Sequence, residues 1–228
     1  MAEGIIVAGE NITTILWLIQ WLNDWGILIL AGAAFLAPYW VARALKKYYR
    51  PKLDIEFKDE LPYCRHEESK GYRRSYYCHF VVVNSGLSQA DDCEAVLEKI
   101  WWAGDQEESL EWQEHPNWIP VNLKWSAEEE NLMRACFKTI YPGGRRYFCD
   151  IARVWEKEGA EFKFETSWTF ISQSTFRTKG KHKIQVSVYS KNAAKVTKKF
   201  IINWYGAYSD GPEEMQELLK VKMLCKNQ

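Results

Sequence analysis

The sequence has no lysine or arginine before Arg43, and between Glu10 and Arg43 its only charged residue is Asp24. That poverty of charge excludes an ordinary solvated surface for the first fifth of the chain. Histidine is scarce, with only His66, His79, His115 and His182. No H-E-x-x-H or G-x-S-x-G occurs, and no G-x-G-x-x-G follows a strand pattern. The helical zinc-hydrolase, nucleophile-elbow and dinucleotide-binding signatures are therefore missing. The six cysteines, Cys64, Cys78, Cys93, Cys136, Cys149 and Cys225, form no C-x-x-C pair, which removes the simplest zinc and redox motifs. A basic excess is missing too. From Leu53 to Gln228 there are 25 Lys+Arg against 27 Asp+Glu, unlike the strongly positive balance of a nucleic-acid-binding domain.

What is present first is an apolar run. Residues 11–42 are 32 in number, and about 20 apolar residues suffice to cross a bilayer as a helix. The part from Trp25 to Ala42 carries no charge and includes the small-residue patch Ala31-Gly32-Ala33-Ala34, where a second helix can approach closely. Trp25 and Trp40 flank it as interfacial anchors, and Arg43, Lys46, Lys47, Arg50 and Lys52 follow it. A cleaved signal peptide fits badly, because its positive region should come first and here Glu3 and Glu10 do. The positive-inside rule predicts an N-terminus outside and a C-terminal part in the cytoplasm, at the inner membrane, with one span. The upstream run ITTILWLIQWLND is too short to span separately; it lengthens the same helix or lies in the outer interface. The expected organisation is a tail over 1–11, a transmembrane helix over 12–45 with its core at 25–42, and a basic linker over 46–52. A β domain follows over 53–206, then a C-terminal helix over 207–228.

Past Lys52 the apolar period changes to two. Leu53, Ile55 and Phe57 share one strand face, and Ile119, Val121, Leu123 and Trp125 share another. YYCHFVVVN, CEAVLEKIWW, CFKTIY, RYFCDIARVW, FKFETSWTFIS, HKIQVSVYS and KVTKKFIINWY supply further strand patterns. Turn residues such as NSGLSQ and PGG separate most of them. About nine short strands with frequent turns predict an antiparallel sandwich or barrel. Ser126-Ala127-Glu128-Glu129 reads as a capping box before a short helix. Pro212, Glu213 and Glu214 read as the first turn of the C-terminal helix. Met215, Leu218, Leu219 and Leu224 are its apolar residues, expected to pack on the domain, with a partner helix or self-association as the alternative.

FVVVNSGLSQADDCEAVLEKI, VNLKWS, TIYPGGRRYFCDIARV and GKHKIQVSVYSKNAAKVTKKFIINW together resemble a bacterial or archaeal immunoglobulin-like sandwich of the CARDB type. Asn84, Gly86, Ala90, Pro142, Gly143 and Gly180 occupy the matching turn places, over roughly residues 76–204. The resemblance implies an immunoglobulin-like β-sandwich and no functional residues. Its members are commonly extracytoplasmic, which opposes the topology predicted from the flanking charges. Those charges act on insertion directly and take precedence here.

Three residues form the best metal candidate. A hairpin centred on Gly71 sets Cys64 opposite Cys78 and His66 opposite Tyr76, with His79 on the other face. Cys64, His66 and Cys78 then share a face, but a structural zinc needs four ligands. Ordinary packing and a cross-strand disulfide are the alternatives. Cys149 falls mid-strand, where inward-facing residues usually pack. Asp91-Asp92, Glu107-Glu108 and Glu128 to Glu130 fall in loops and read as solvated surface. Arg73-Arg74, Arg145-Arg146, KGKHK and Lys198-Lys199 are interleaved with acids and read as solubility determinants, unless several converge on a small anion.

These readings predict a single-pass, non-enzymatic membrane protein without a cofactor, whose β-sandwich holds a protein partner or a second copy of itself at the membrane surface. Nucleic acid is not an expected partner, and a small-molecule ligand is left open. The layout is also similar to membrane-tethered β-barrel effectors of prokaryotic cyclic-oligonucleotide defence systems. That resemblance implies a β domain that senses a nucleotide-like anion and drives oligomerisation. A convergent cluster of Lys or Arg with aromatics would favour it.

Overall fold

The computed structural model describes residues 6–67, 74–103, 111–126, 136–155, 160–166, 175–176 and 179–224. Two units are present, Met1–Tyr49 and Arg50–Gln228. The first is a single helix, α1 (Ile6–Tyr48), 43 residues long. The upstream run is continuous with it, so the helix starts at Ile6 and not at residue 12. Leu28–Tyr48 is long and apolar enough to cross a membrane. Lys46 and Lys47 lie in the last turn, where cations complement the negative end of the helix dipole.

The second unit is an antiparallel β-sandwich. Its strands are β1 (Leu53–Glu56), β2 (Cys64–Glu67), β3 (Ser75–Asn84), β4 (Ala90–Ala103), β5 (Trp112–Glu114), β6 (Val121–Asn122) and β7 (Lys138–Ile140). They continue with β8 (Tyr147–Trp155), β9 (Glu161–Phe164), β10 (Thr175–Phe176), β11 (Gly180–Tyr189) and β12 (Val196–Trp204). A short helix, α2 (Pro212–Leu218), and β13 (Leu219–Leu224) follow. One sheet has the order β1-β3-β8-β9-β10, with β2 beside β1 on the same edge of β3. The other has the order β13-β12-β11-β4-β5, with β6 and β7 also pairing β4.

The core follows from period-two alternation. Ile184, Val186 and Val188 of β11 and Phe200, Ile202 and Trp204 of β12 all point inward and are buried. Val121, Leu123 and Trp125 are buried as their spacing predicts, whereas Ile119 is exposed. Ile119 lies before β6 and outside any strand, so no sheet face covers it; the segment after it changes sheets. β6 pairs with β4, then Leu123 bridges to Thr166 and Trp125 to Cys149 in the first sheet. The capping-box helix expected after Ser126 falls on residues 127–135, outside the described residues.

The C-terminus corrects the expected helix over 207–228. Pro212 opens α2 and Met215 is buried, but the helix stops at Leu218. Leu219 to Leu224 then pairs antiparallel with β12. Leu, Lys and Met favour helix in isolation. An unpaired β12 edge offers a row of backbone partners that overrides this preference, and the alternation of Leu219, Val221 and Met223 with Lys220 and Lys222 fits a strand.

Linker residues Arg50–Lys52 belong to the sandwich. Asn84 Oδ1 accepts from the backbone N–H of Lys52 and of Gly86, each at 3.0 Å. Its amide donates to Ser88 O at 2.8 Å and Ile140 O at 3.1 Å. Ser85 N–H donates to Lys52 O at 2.9 Å. Gly86 lies so close to this strap that a Cβ there would sit 2.4 Å from Arg50 O. The Asn-x-Gly turn thus clamps the first residues after the helix.

Candidate functional site

The hairpin pairing expected from sequence is present: Cys64 faces Cys78 and His66 faces Tyr76. His79 N–H donates to Tyr63 O, which makes Cys64 and Cys78 a non-hydrogen-bonded pair, the closer kind in an antiparallel ladder. Their sulfurs lie 3.0 Å apart, and both are free thiols. The hydrogen bond between them, then burial, pushes the Cys64 thiol far up, so neither a thiolate ligand nor a nucleophile is favoured there. His66 lies edge-on to Tyr76 and Tyr208. Burial, then Arg74, lowers its pKa. Cys64, His66 and Tyr76 line a groove of about 520 Å³ beside Pro212 and Glu213 of α2. Among the described residues no group of three His, Cys, Asp or Glu side chains is arranged to hold a metal ion.

On the outer side of the first sheet the fold assembles a cluster that sequence spacing does not reveal. His79 is 1% exposed, and its Nδ1 lies 2.7 Å from Asp150 Oδ1. Ser126 Oγ is 3.0 Å from the same Nδ1 and donates to Asp150 Oδ1. These three residue types suggest a hydrolytic triad, but the geometry is different. A relay needs the hydroxyl on one ring nitrogen and the carboxylate on the other. Here both use Nδ1, and Nε2 faces Glu67 Oε1 at 3.8 Å.

Next to this cluster, Arg153 sits over the rings of Trp155 and Tyr77, at 4.9 and 5.4 Å from their centroids. Its Nη1 donates to Tyr77 Oη at 2.9 Å, and its Nε lies 3.0 Å from Glu165 Oε1. Lys124 Nζ is 3.5 Å from the other oxygen of Glu165. One buried carboxylate thus takes two cations beside the sheet crossing at residues 123–126, though Arg153 Nε and Glu165 Oε1 meet as an ion pair without hydrogen-bond geometry.

The outer face of the second sheet gathers lysine and tryptophan. The register shift between Gln185 and Val186 leaves Glu98 as an extra residue in β4, so Lys99 and Trp101 both point outward. β11 sets Lys183 opposite Trp101, and β12 adds Lys199 on the diagonal. Lys183, Lys199 and Lys99 approach the Trp101 ring at 4.9, 5.7 and 5.9 Å. Lys183 also lies 4.8 Å from the Trp112 ring. Each contact contributes about 0.5–1 kcal/mol when exposed. Burial, then Lys199, lowers the Lys183 pKa. Glu114 takes one of these cations, Lys99, at 2.8 Å. The sequence pairs Lys198 with Lys199 as one basic cluster, but the strand separates them. Lys198 reaches Asp54 at 3.1 Å and Lys199 joins the Trp101 group. The signal available beforehand was the placing of Lys183 and Lys199 at polar positions of alternating strands. Their convergence on Trp101 depends on register.

Of the expected membrane-interface residues, Trp25 and Trp40 are exposed on α1, and Arg43, Lys46 and Lys47 are exposed after them. From Trp25 to Lys46 a helix rises about 31 Å, close to the hydrocarbon thickness of a bilayer. Arg50 and Lys52 belong to the clamped strap.

Fold and surfaces define the class: an antiparallel β-sandwich behind an apolar helix of membrane-spanning length. No family model matches the chain, and no curated protein matches it.

Proposed function

We propose that this chain is a single-pass, membrane-anchored, non-enzymatic binding protein whose β-sandwich receives an acidic protein partner on the Lys99–Trp101–Lys183–Lys199 face. The observation that carries the reading is the convergence of three ammonium groups on one indole. The cations and indoles are spread over β4, β5, β11 and β12, which suits a macromolecule. Trp101 and Trp112 give it the aromatic content typical of binding hot spots, and the lysines give it sign. That Ser126 and Asp150 both use Nδ1 of His79 argues for a structural role of that cluster and supports the non-enzymatic part.

The proposed topology keeps the N-terminus outside and the sandwich in the cytoplasm at the inner membrane, from the acidic start and the basic flank of α1. A reporter fused to the C-terminus is expected to read cytoplasm, and an external signal overturns the topology. The CARDB-type kinship is likewise a proposal; the two-layer antiparallel architecture supports it.

Charge reversal tests the binding face. Lys183→Glu with Lys199→Glu, in detergent-solubilised full-length protein, is expected to abolish salt-sensitive capture of an acidic partner while circular dichroism shows the fold retained. Capture at wild-type level refutes the assignment of the face. One observation favours a second reading, in which the face senses a nucleotide-like anion and drives oligomerisation: Lys183 lies against both Trp101 and Trp112, as an anion-and-base site would need. Quenching of tryptophan fluorescence by a cyclic oligonucleotide, with a shift to larger assemblies, would select that reading.

A further inference from the structure

We infer that the end of the sandwich that holds Arg50–Lys52 is a second membrane-contacting surface, whose loops sit among anionic lipid headgroups. The inference rests on the reading of α1 as a membrane span. The helix unit ends at Tyr49, and Arg50 already belongs to the sandwich. One residue advances the chain by about 3.8 Å. Pro51 is buried, and the Asn84 hydrogen bonds and the Gly86 contact hold the strap to the domain. Along the chain only Tyr49 and Arg50 thus separate the last helical residue, Tyr48, from the buried Pro51. With α1 as a span, this short connection brings the strap within reach of the headgroup layer, which adds several ångströms beyond each side of the hydrocarbon core.

Two loops lie beside the strap. The β3–β4 loop carries Gly86 and Leu87, and the β7–β8 loop carries Tyr141 to Arg146. Leu87, Gly143 and Arg146 line one shallow cleft of about 650 Å³. Asn84 ties this cleft to both the strap and Ile140. Leu87 is 53% exposed and Tyr141 47% exposed, an aliphatic and an amphipathic ring at the tips. Arg50, Lys52, Arg145 and Arg146 are exposed around them, against the acids Asp54, Glu56, Asp91 and Asp92, of which Asp54 is taken by Lys198 at 3.1 Å. Basic residues rimming exposed apolar tips match a negatively charged interface: the arginines meet phosphate oxygens, and Leu87 and Tyr141 enter the glycerol region. At the other end of the domain, Tyr205 follows β12. The ten residues of β3 place that end about 30 Å away.

The contact would hold the domain at two points, through the helix and through the loops, and so restrict how the Lys–Trp face is presented. The test uses the full-length chain in lipid nanodiscs with nitroxide labels, in a Cys225→Ser background, since the five described native cysteines are buried. Labels at Leu87→Cys and Tyr141→Cys keep apolar side chains at the tips. In discs containing phosphatidylglycerol, their ratio of oxygen to nickel-chelate accessibility is expected to exceed that of Tyr205→Cys several-fold. It should drop in pure phosphatidylcholine discs and on Arg145→Ala with Arg146→Ala. Equal ratios at Leu87, Tyr141 and Tyr205, with an Ala34→Cys label buried in hydrocarbon, overturn the inference and leave the span intact. A water-exposed Ala34 label overturns the span and the inference with it.

Discussion

Acidification from pH 7.5 to pH 5 is expected to weaken the sandwich through one side chain, His182. It points inward from β11, 7% exposed, stacked on Phe162 at 6.0 Å and edge-on to Phe164 at 6.4 Å. Burial in this aromatic layer lowers its pKa to about 4, against 6.5 for a free histidine. The unfolded chain therefore takes up the proton first. Stability from this group is fully present above pH 6.5 and is lost as the pH falls from there through about 4. Linkage gives a loss of about 2 kcal/mol at pH 5 and about 3 kcal/mol at pH 4. That is a large share of the stability of an ordinary domain. The assay is urea unfolding of detergent-solubilised full-length protein at pH 7.5 and 5, followed by tryptophan fluorescence. His182→Phe keeps an aromatic ring of similar size and cannot titrate, so its acid loss should shrink by about 2 kcal/mol. His66 shifts in the same direction, again mainly through burial, and accounts for part of the slope that remains. If His182→Phe loses as much stability as the wild type, the buried neutral imidazole is not the cause and the reasoning fails.

Glu98 acts in a lower window. Burial works to raise it, but hydrogen bonds from Lys195, Tyr189 and Gln185 outweigh burial and hold it at about 2. Its contribution is present above pH 4.5 and is lost as pH falls toward 2; Glu98→Gln should flatten unfolding curves below pH 4.5 and leave the loss at pH 5 unchanged. Gly86→Ala places a methyl carbon 2.4 Å from Arg50 O and 2.6 Å from Lys52 N, and should cost about 1–3 kcal/mol in urea unfolding; wild-type stability would show that the strap is not clamped. A mild thiol oxidant such as diamide should join Cys64 to Cys78, with two thiol hydrogens passing to the reduced diamide. Peptide mapping without reductant reads the pairing, and recovery of Cys93 or Cys149 in the linkage instead would contradict the register.

The C-terminal segment shows where local reasoning ended. Pro212, Glu213 and Glu214 are helix-start chemistry, and a helix does start there. Where it stops depends on whether a strand edge is open six residues later, and no local pattern reports that. The hairpin at Cys64 and Cys78 was legible because a two-residue period around a turn sets partners by arithmetic. His79, Ser126 and Asp150 were not legible, because residues 47 and 24 positions apart meet only when the chain crosses between sheets near Trp125.

By itself, then, the sequence determined what short-range physics controls: a helix of spanning length with its charge asymmetry, strands whose alternate residues are apolar, and turns where Asn84, Gly86, Pro142 and Gly143 allow them. Burial of a period-two or uncharged pattern favours one local conformation whatever lies elsewhere. Only the tertiary structure decided which lysines gather on Trp101, which carboxylate Arg153 meets, how the strap is held, and that the last segment becomes a strand. Those outcomes depend on strand order and register, which are set by the fit of two sheets around a shared core and by backbone edges that must find partners.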